Sequence, residues 1–295
     1  MQLDVIREFD LNRWSPEVDE APIVRCEADL ESGKVLYFPN LGFPFLEAEQ
    51  RFLSEQWSDG KSKNISYRGS RHSLQGARGS QADQDALESL IARFCVNAKS
   101  LVDALFPAYR PYLKTGFTSY RTAQVEGRVT SWRKDDTRLH VDSFPSNPTQ
   151  GTRLLRVFTN VNPAGIQRIW RVGEPFRDHA QRFLPKASQP FPGSAWLLEK
   201  IGITKARRSL YDHYMGQLHD LGKADLDYQA HAPQLTFQFP PGSSWVVFSD
   251  QVLHAVMAGQ FMLEQTFYLS PDHLIQPELG PLRVLESLTG KPLRN

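Results

Sequence analysis

The sequence predicts a mainly β protein with helical additions (α+β), built on a double-stranded β-helix, the cupin-like jelly roll. Three observations lead there. From about residue 116 onward, short apolar runs of strand length recur with Gly, Pro and Asn between them, the pattern of a sandwich or barrel. One long stripe with helical spacing precedes them at 80–105, and a second helical stretch, 206–221, interrupts the β run. The expected organisation is an N-terminal helical extension over 1–110, a jelly-roll core over 111–275 with a helical insertion at about 174–225, and a tail over 276–295 folded over the sheet.

In chain order, the run Val35-Leu36-Tyr37-Phe38, stopped by Pro39, reads as a strand, and 46–57 reads as a helix. A basic, polar loop follows over 60–79, with Lys61, Lys63, Arg68, Arg71, His72 and Arg78. Ser80 and Asp83 form a capping-box signature at the head of the clearest helix. Its apolar positions Leu87, Leu90, Ile91, Phe94, Ala98, Leu101, Val102 and Leu105 recur every three or four residues until Pro107 ends it. Strands are expected at 117–125, 137–142, 152–161 and 168–172, and loops over the proline-bearing stretch 173–205. Helix 206–221 carries Leu210, Tyr211, Tyr214, Met215 and Leu218 on one face. Strands return at 234–239, 245–248 and 261–269.

Composition narrows the function classes. The 295 residues carry a net charge of +1, so no global field favours nucleic acid. Two cysteines, Cys26 and Cys95, make no disulfide framework and suit a reducing compartment. The opening MQLDVIREFDLN has acids where a signal peptide needs a basic start and an apolar run. No stretch approaches the ~20 apolar residues of a membrane span. A cytoplasmic protein is expected, with peripheral membrane contact left open.

The chemistry centres on RLHVDSFPSNPTQGTRLLRVFTNVN, residues 138–162. In an extended chain, positions two apart share a face, so His140 and Asp142 aim at one point while Leu139 and Val141 aim away. An imidazole and a carboxylate so placed are two of the three ligands of the facial triad used by non-haem Fe(II) oxygenases. His-x-Asp alone is a common tripeptide, and a second histidine is needed. His254 is the candidate, because PPGSSWVVFSDQVLHAVMAG reads turn, strand, polar turn, histidine, strand, and such a hairpin can return it to the first ligands. His179, His213 and His219 fall in the helical insertion and His72, His231 and His273 in loop-like stretches, and all six have weaker claims.

Oxygenases of this type often take 2-oxoglutarate, whose far carboxylate needs a cation, best a guanidinium. No Lys or Arg occurs over 255–270. The expected cation is therefore Arg156, which alternates with Phe158 and Asn160 on one face of its strand while Leu155, Val157 and Thr159 take the other. Arg121 and Arg138 are the reserves, and Gln265 could hydrogen-bond the same carboxylate without neutralising it.

The stretches VEGRVTSWRKDDTRLHVDSFPSNPTQGTRLLRVFTNVNP, WRVGEPF and SDQVLHAVMAGQFMLEQTFYLSP, with KNISY as a weaker match, resemble the Kdo hydroxylase family over most of residues 60–275. The resemblance implies an Fe(II)/2-oxoglutarate oxygenase of lipopolysaccharide synthesis, with O2 as co-substrate and ascorbate as an aid. It would hydroxylate C3 of 3-deoxy-D-manno-oct-2-ulosonic acid (Kdo) on lipid A, giving D-glycero-D-talo-oct-2-ulosonic acid. It places the iron ligands at His140, Asp142 and His254. Arg156 as the cofactor's cation rests on strand position, by analogy with jelly-roll oxygenases that keep this cation after the motif. The anionic glycolipid makes Arg133, Lys134, the 61–78 loop, and Asn64 and Tyr67 of KNISY candidate contacts, and implies transient contact with the inner face of the membrane. Two alternatives stand beside it: a 2-oxoglutarate-dependent hydroxylase of another substrate, such as a protein, and a non-enzymatic jelly-roll sugar-binding module. Oligomeric state is left open.

Overall fold

The computed structural model describes residues 3–17, 19–69, 73–127 and 130–294. Arg71 and His72 of the basic loop, and Arg128 and Val129 of the long matching stretch, lie outside the described residues. The chain runs β1 (Ile6–Glu8), α1 (Glu20–Glu31), β2 (Val35–Phe38), β3 (Ile65–Arg68), β4 (Ser73–Gln75), α2 (Gln81–Leu105), β5 (Lys114–Arg121), β6 (Arg153–Asn160) and β7 (Arg168–Gly173). It continues through α3 (Phe176–Phe183), α4 (Ser194–Lys200), α5 (Leu210–Ala224), α6 (Leu226–His231), β8 (Gln234–Phe239), β9 (Ser244–Phe248), β10 (His254–Ala258), β11 (Met262–Leu269) and α7 (Pro281–Thr289).

The strands form two sheets of a jelly roll. The larger has the order β1-β2-β9-β6-β11-β5-β3-β4, and the smaller has β10-β7-β8. Every pairing is antiparallel except β1 with β2. Strands β6, β9 and β11 read as nearly continuous apolar runs because both their faces are covered. Alternate residues divide between two cores. Leu155, Val157, Val246, Phe248, Leu263 and Phe267 meet the stripe of α2 on the outer face. Phe158, Val247, Trp245 and Met262 turn inward to meet Trp170, Val172 and Phe239 of the smaller sheet. Helix α2 forms where its sequence signals say: Ser80 Oγ accepts from the Asp83 N–H, and the Asp83 carboxylate accepts from the Ser80 N–H.

A third core decides how the site is held. Leu139, Val141 and Leu253 pack with Phe176 and Phe183 of α3, Tyr211, Met215 and Leu218 of α5, and Leu282 and Leu285 of α7. These anchors flank His140, Asp142 and His254, so the alternation that buries them among helices turns the polar residues the other way.

Several expectations are corrected. Residues 1–110 supply four strands, β1–β4, to both edges of the larger sheet besides α1 and α2. The helix expected at 46–57 is two 3-10 turns, Glu47–Phe52 and Glu55–Trp57. The strand expected at 137–142 does not form a ladder: Thr137 and Arg138 lie in a turn and a bend, and the rest is joined by one isolated bridge from His140 to His254. The stretch 173–205, expected as loops, holds α3 and α4. Its prolines do not interrupt these helices: Pro175 is the N-cap of α3, and Pro190 and Pro192 precede α4, places where a missing N–H costs nothing. The last segment packs α7 against α3 and α5 rather than over the sheet.

Candidate metal centre

His140 and His254 face each other across a two-way backbone bridge: His140 N–H donates to His254 O at 3.0 Å, and His254 N–H to His140 O at 2.9 Å. Asp142 is fixed next, its N–H donating to Ser249 O at 2.9 Å. At the end of β7, Gly173 allows the approach of the segment leading into β10, since a Cβ there would lie 3.0 Å from Leu253 Cβ. One ligand atom from each of His140, Asp142 and His254 lies within 4.8 Å of the others.

Both imidazoles are oriented by the same local device. His140 Nδ1 lies 2.7 Å from Arg138 O, and His254 Nδ1 lies 2.9 Å from Val252 O, each a carbonyl two residues back. A carbonyl only accepts, so each Nδ1 carries the proton and each Nε2 presents a lone pair. His140 Nε2 stands 4.0 Å from Asp142 Oδ1. Burial, together with the neighbouring His254 ring, holds His140 well below the ordinary histidine pKa. Burial also lowers His254, against the pull of Asp142. Burial pushes the Asp142 carboxyl up, but Arg156 and the two rings outweigh it and hold it well below the usual range. Two neutral imidazoles and an ionised carboxylate are the protonation states a divalent cation requires. The donor set, one carboxylate and two Nε2 atoms, fits iron in a facial triad.

Surrounding residues complete the geometry. Trp170 stacks on His254 with centroids 5.1 Å apart, and His219 of α5 stands edge-on to His140 at 5.6 Å. His219 Nδ1 is held by Asp220 at 2.9 Å, and Asp220 also accepts from Arg133 Nε at 2.9 Å. A cavity of about 160 Å³ opens beside Asp142, walled by Phe144, Leu154 and, from α5, Tyr211, Met215 and His219.

Arg156 reaches the site as its strand position requires. It lies mostly covered on the inner face of β6, with Nη2 3.1 Å from Asp142 Oδ2 and Nη1 2.9 Å from Glu264 Oε1. Arg121 stands behind it, its Nε 2.9 Å from Glu264 Oε2. Arg138 is committed elsewhere, to Asp135 and to the Lys223 carbonyl. Gln265 does not reach the site. It lies on the α2 side of β11 beside Leu263 and Phe267, bonded to Thr118 Oγ1 at 2.5 Å.

The expected substrate contacts separate. Arg133 and Lys134 are exposed on a 3-10 turn, with the Arg133 guanidinium over Trp132. Lys63 ties the basic loop to the approach of His140 through Asp136, 2.5 Å away. Asn64 precedes β3 with a buried Oδ1 that has no hydrogen-bond partner, and is not among the groups around the triad. Tyr67 is buried in the α2 core, on the opposite face of β3 from Arg68. Sequence reasoning missed Glu264, Trp170 and His219. Glu264 lay in the window searched for a cation, Trp170 in the quoted WRVGEPF, and His219 was set aside with the insertion.

The sequence profile described as 3-deoxy-D-manno-oct-2-ulosonic acid (Kdo) hydroxylase matches residues 13–292. The chain belongs to the Kdo hydroxylase family. Crystal structures of the Kdo hydroxylase KdoO, a non-haem Fe(II) α-ketoglutarate-dependent dioxygenase, are similar to it over nearly its whole length. The complex with α-ketoglutarate and Fe(III) is 49% identical with a TM-score of 0.95, covering 98% of this chain and 97% of that one. The cobalt(II) complex is 49% identical with a TM-score of 0.97, covering 99% and 98%. The complex with succinate and Fe(III) is 48% identical with a TM-score of 0.95. No curated protein sequence matches the chain. The jelly roll expected from strand spacing is the fold of these Fe(II)/α-ketoglutarate-dependent dioxygenases.

Proposed function

We propose that this protein is an Fe(II)-, 2-oxoglutarate- and O2-dependent dioxygenase that hydroxylates C3 of Kdo on lipid A, giving D-glycero-D-talo-oct-2-ulosonic acid. The observation that carries the reading is the convergence of two pre-oriented Nε2 atoms and one carboxylate in a chain 49% identical to KdoO over 98% of its length. Iron with 2-oxoglutarate and O2 supplies the oxidising power that turns a C–H bond into C–OH.

The chain's own residues set the terms of that chemistry. The Arg138 and Val252 carbonyls fix the tautomers of His140 and His254 before any metal arrives, which removes a reorganisation cost. Once Asp142 gives its charge to a metal, Glu264 is the one carboxylate left in close ion-pair contact with both Arg121 and Arg156 among the described residues, which leaves a positive charge in surplus beside the site. That surplus matches one carboxylate. Arg156 Nε is buried without a hydrogen-bond partner and offers a donor to it. Arg156 is therefore our assignment for the 2-oxoglutarate carboxylate, with Arg121 holding Glu264 behind it. The exposed Arg133 and Lys134 are the assigned contacts for the sugar and phosphate anions. The core position of Tyr67 leaves it as a support of β3, while Asn64, beside Lys63 and its tie to Asp136, stays among the assigned contacts. We place the enzyme in the cytoplasm with transient contact to the inner face of the membrane, where its lipid substrate lies. Among the described residues, no helix is long and apolar enough to cross a membrane.

Iron- and O2-dependent succinate release from 2-oxoglutarate that rises when Kdo-bearing lipid A precursor is added tests this reading. Release unaffected by the lipid would point to another substrate.

A further inference from the structure

Helix α4 and its flanks form an apolar surface that the fold leaves uncovered. Phe191 is 84% exposed, Trp196 53%, Leu197 51%, Ile201 58% and Ile203 52%. None of the helix's residues is buried. Five large apolar side chains within thirteen residues is a patch that a protein does not leave facing water without use. The same segment is ringed by Lys200, Lys205 and Arg207, all exposed, against the single acid Glu199. A groove of about 230 Å³ runs between Phe191, Trp196 and the start of α5, and its Arg208 and His213 also line the cavity beside Asp142. The patch is thus continuous with the candidate active site.

We infer that the segment 191–207 is a membrane-docking element that inserts its apolar side chains into the interfacial layer of an anionic phospholipid bilayer. The chemistry selects this occupant. Trp and Phe beside aliphatic residues suit the boundary between head groups and acyl chains, and a ring of Lys and Arg suits lipid phosphates. Docking there would hold the cavity mouth against the membrane, so that a lipid-linked sugar enters while its acyl chains stay in the bilayer. The last step rests on the proposed substrate; the docking itself does not.

Flotation of the full-length protein with vesicles tests it without turnover, so failure of the reaction and failure of docking are separable. Binding is expected to phosphatidylethanolamine vesicles containing phosphatidylglycerol at low salt, weakening as salt screens the cations. The triple variant Phe191→Ser, Trp196→Ser, Ile201→Ser should lose at least about tenfold in partitioning with its melting temperature unchanged. Each of Lys200→Gln, Lys205→Gln and Arg207→Gln should cost about fivefold or less. Wild-type protein that stays unbound at low salt, or a triple variant that floats equally well, would overturn the inference. So would a wild-type dimer that the triple variant converts to monomer without any vesicle binding, because a second copy would then be the occupant.

Discussion

Arg156 and Glu264 meet 2.9 Å apart on neighbouring strands of the larger sheet, Glu264 buried on its inner face and the Arg156 side chain 11% exposed beside it. Burial works against both charges. Arg121 and Arg156 outweigh it for the Glu264 carboxyl, and Asp142 and Glu264 outweigh it for the Arg156 guanidinium. The pair is a hinge between stability and function: Glu264 keeps two arginines in the interior, and one of them faces the metal site.

Glu264→Gln should therefore destabilise the fold, since it leaves Arg121 and Arg156 with half their counter-charge in a buried place. The expected loss is about 3 kcal/mol in urea unfolding. Adding Arg121→Gln to it should recover part of the loss. An unchanged midpoint for the single variant would show that water, not Glu264, solvates these guanidinium groups.

Arg156→Gln should raise the 2-oxoglutarate KM by at least about tenfold, because a buried guanidinium–carboxylate pair contributes on the order of 2–5 kcal/mol to binding. Arg121→Gln should change it less, as Arg121 reaches the cluster only through Glu264. Titration calorimetry of 2-oxoglutarate into metal-loaded protein checks both, and equal effects would move the cofactor's carboxylate to a position shared by the two arginines.

Stability should fall in mildly acidic solution for a reason outside the active site. His179 of α3 is fully buried, its Nδ1 3.0 Å from the Tyr228 hydroxyl, and burial pushes its pKa down to about 4. The unfolded chain binds that proton near pH 6.5, well before the folded one. The contribution of neutral His179 is complete above about pH 6.5 and is lost as pH falls toward 4, at most about 3 kcal/mol. His179→Gln should flatten the pH dependence of the melting temperature across that window. A parallel curve would assign the acid sensitivity to other groups.

What the sequence made legible follows the physics of periodicity. The stripe and capping box of α2 are local signals, and every stripe position is buried. His140 and Asp142 could be paired because they sit two apart; the hairpin expected to return His254 is instead a crossing between sheets, since β9 lies in the larger sheet and β10 in the smaller. Arg156 was reachable by the same parity. What stayed hidden needed registers between strands. Glu264 and Gln265 are adjacent, and only the pairing of β11 with β6 tells which one faces the metal. The same one-residue ambiguity hid that Tyr67 faces the α2 core while Arg68 faces inward. Helices α3 and α4 were masked by prolines that cap or precede them. His219 comes to His140 only because α5 packs on Leu139 and Val141, a contact between segments about eighty residues apart that no local pattern announces.

The most direct measurement is a mass spectrum of Kdo-bearing lipid A precursor after incubation with anaerobically purified protein, Fe(II), 2-oxoglutarate and isotopically labelled O2. The account predicts a product heavier by one oxygen atom on the Kdo sugar, with the label incorporated, and no such product from His140→Ala or Asp142→Ala. An unmodified sugar in the presence of iron-loaded, folded protein, or a product still formed by the two variants, would contradict it.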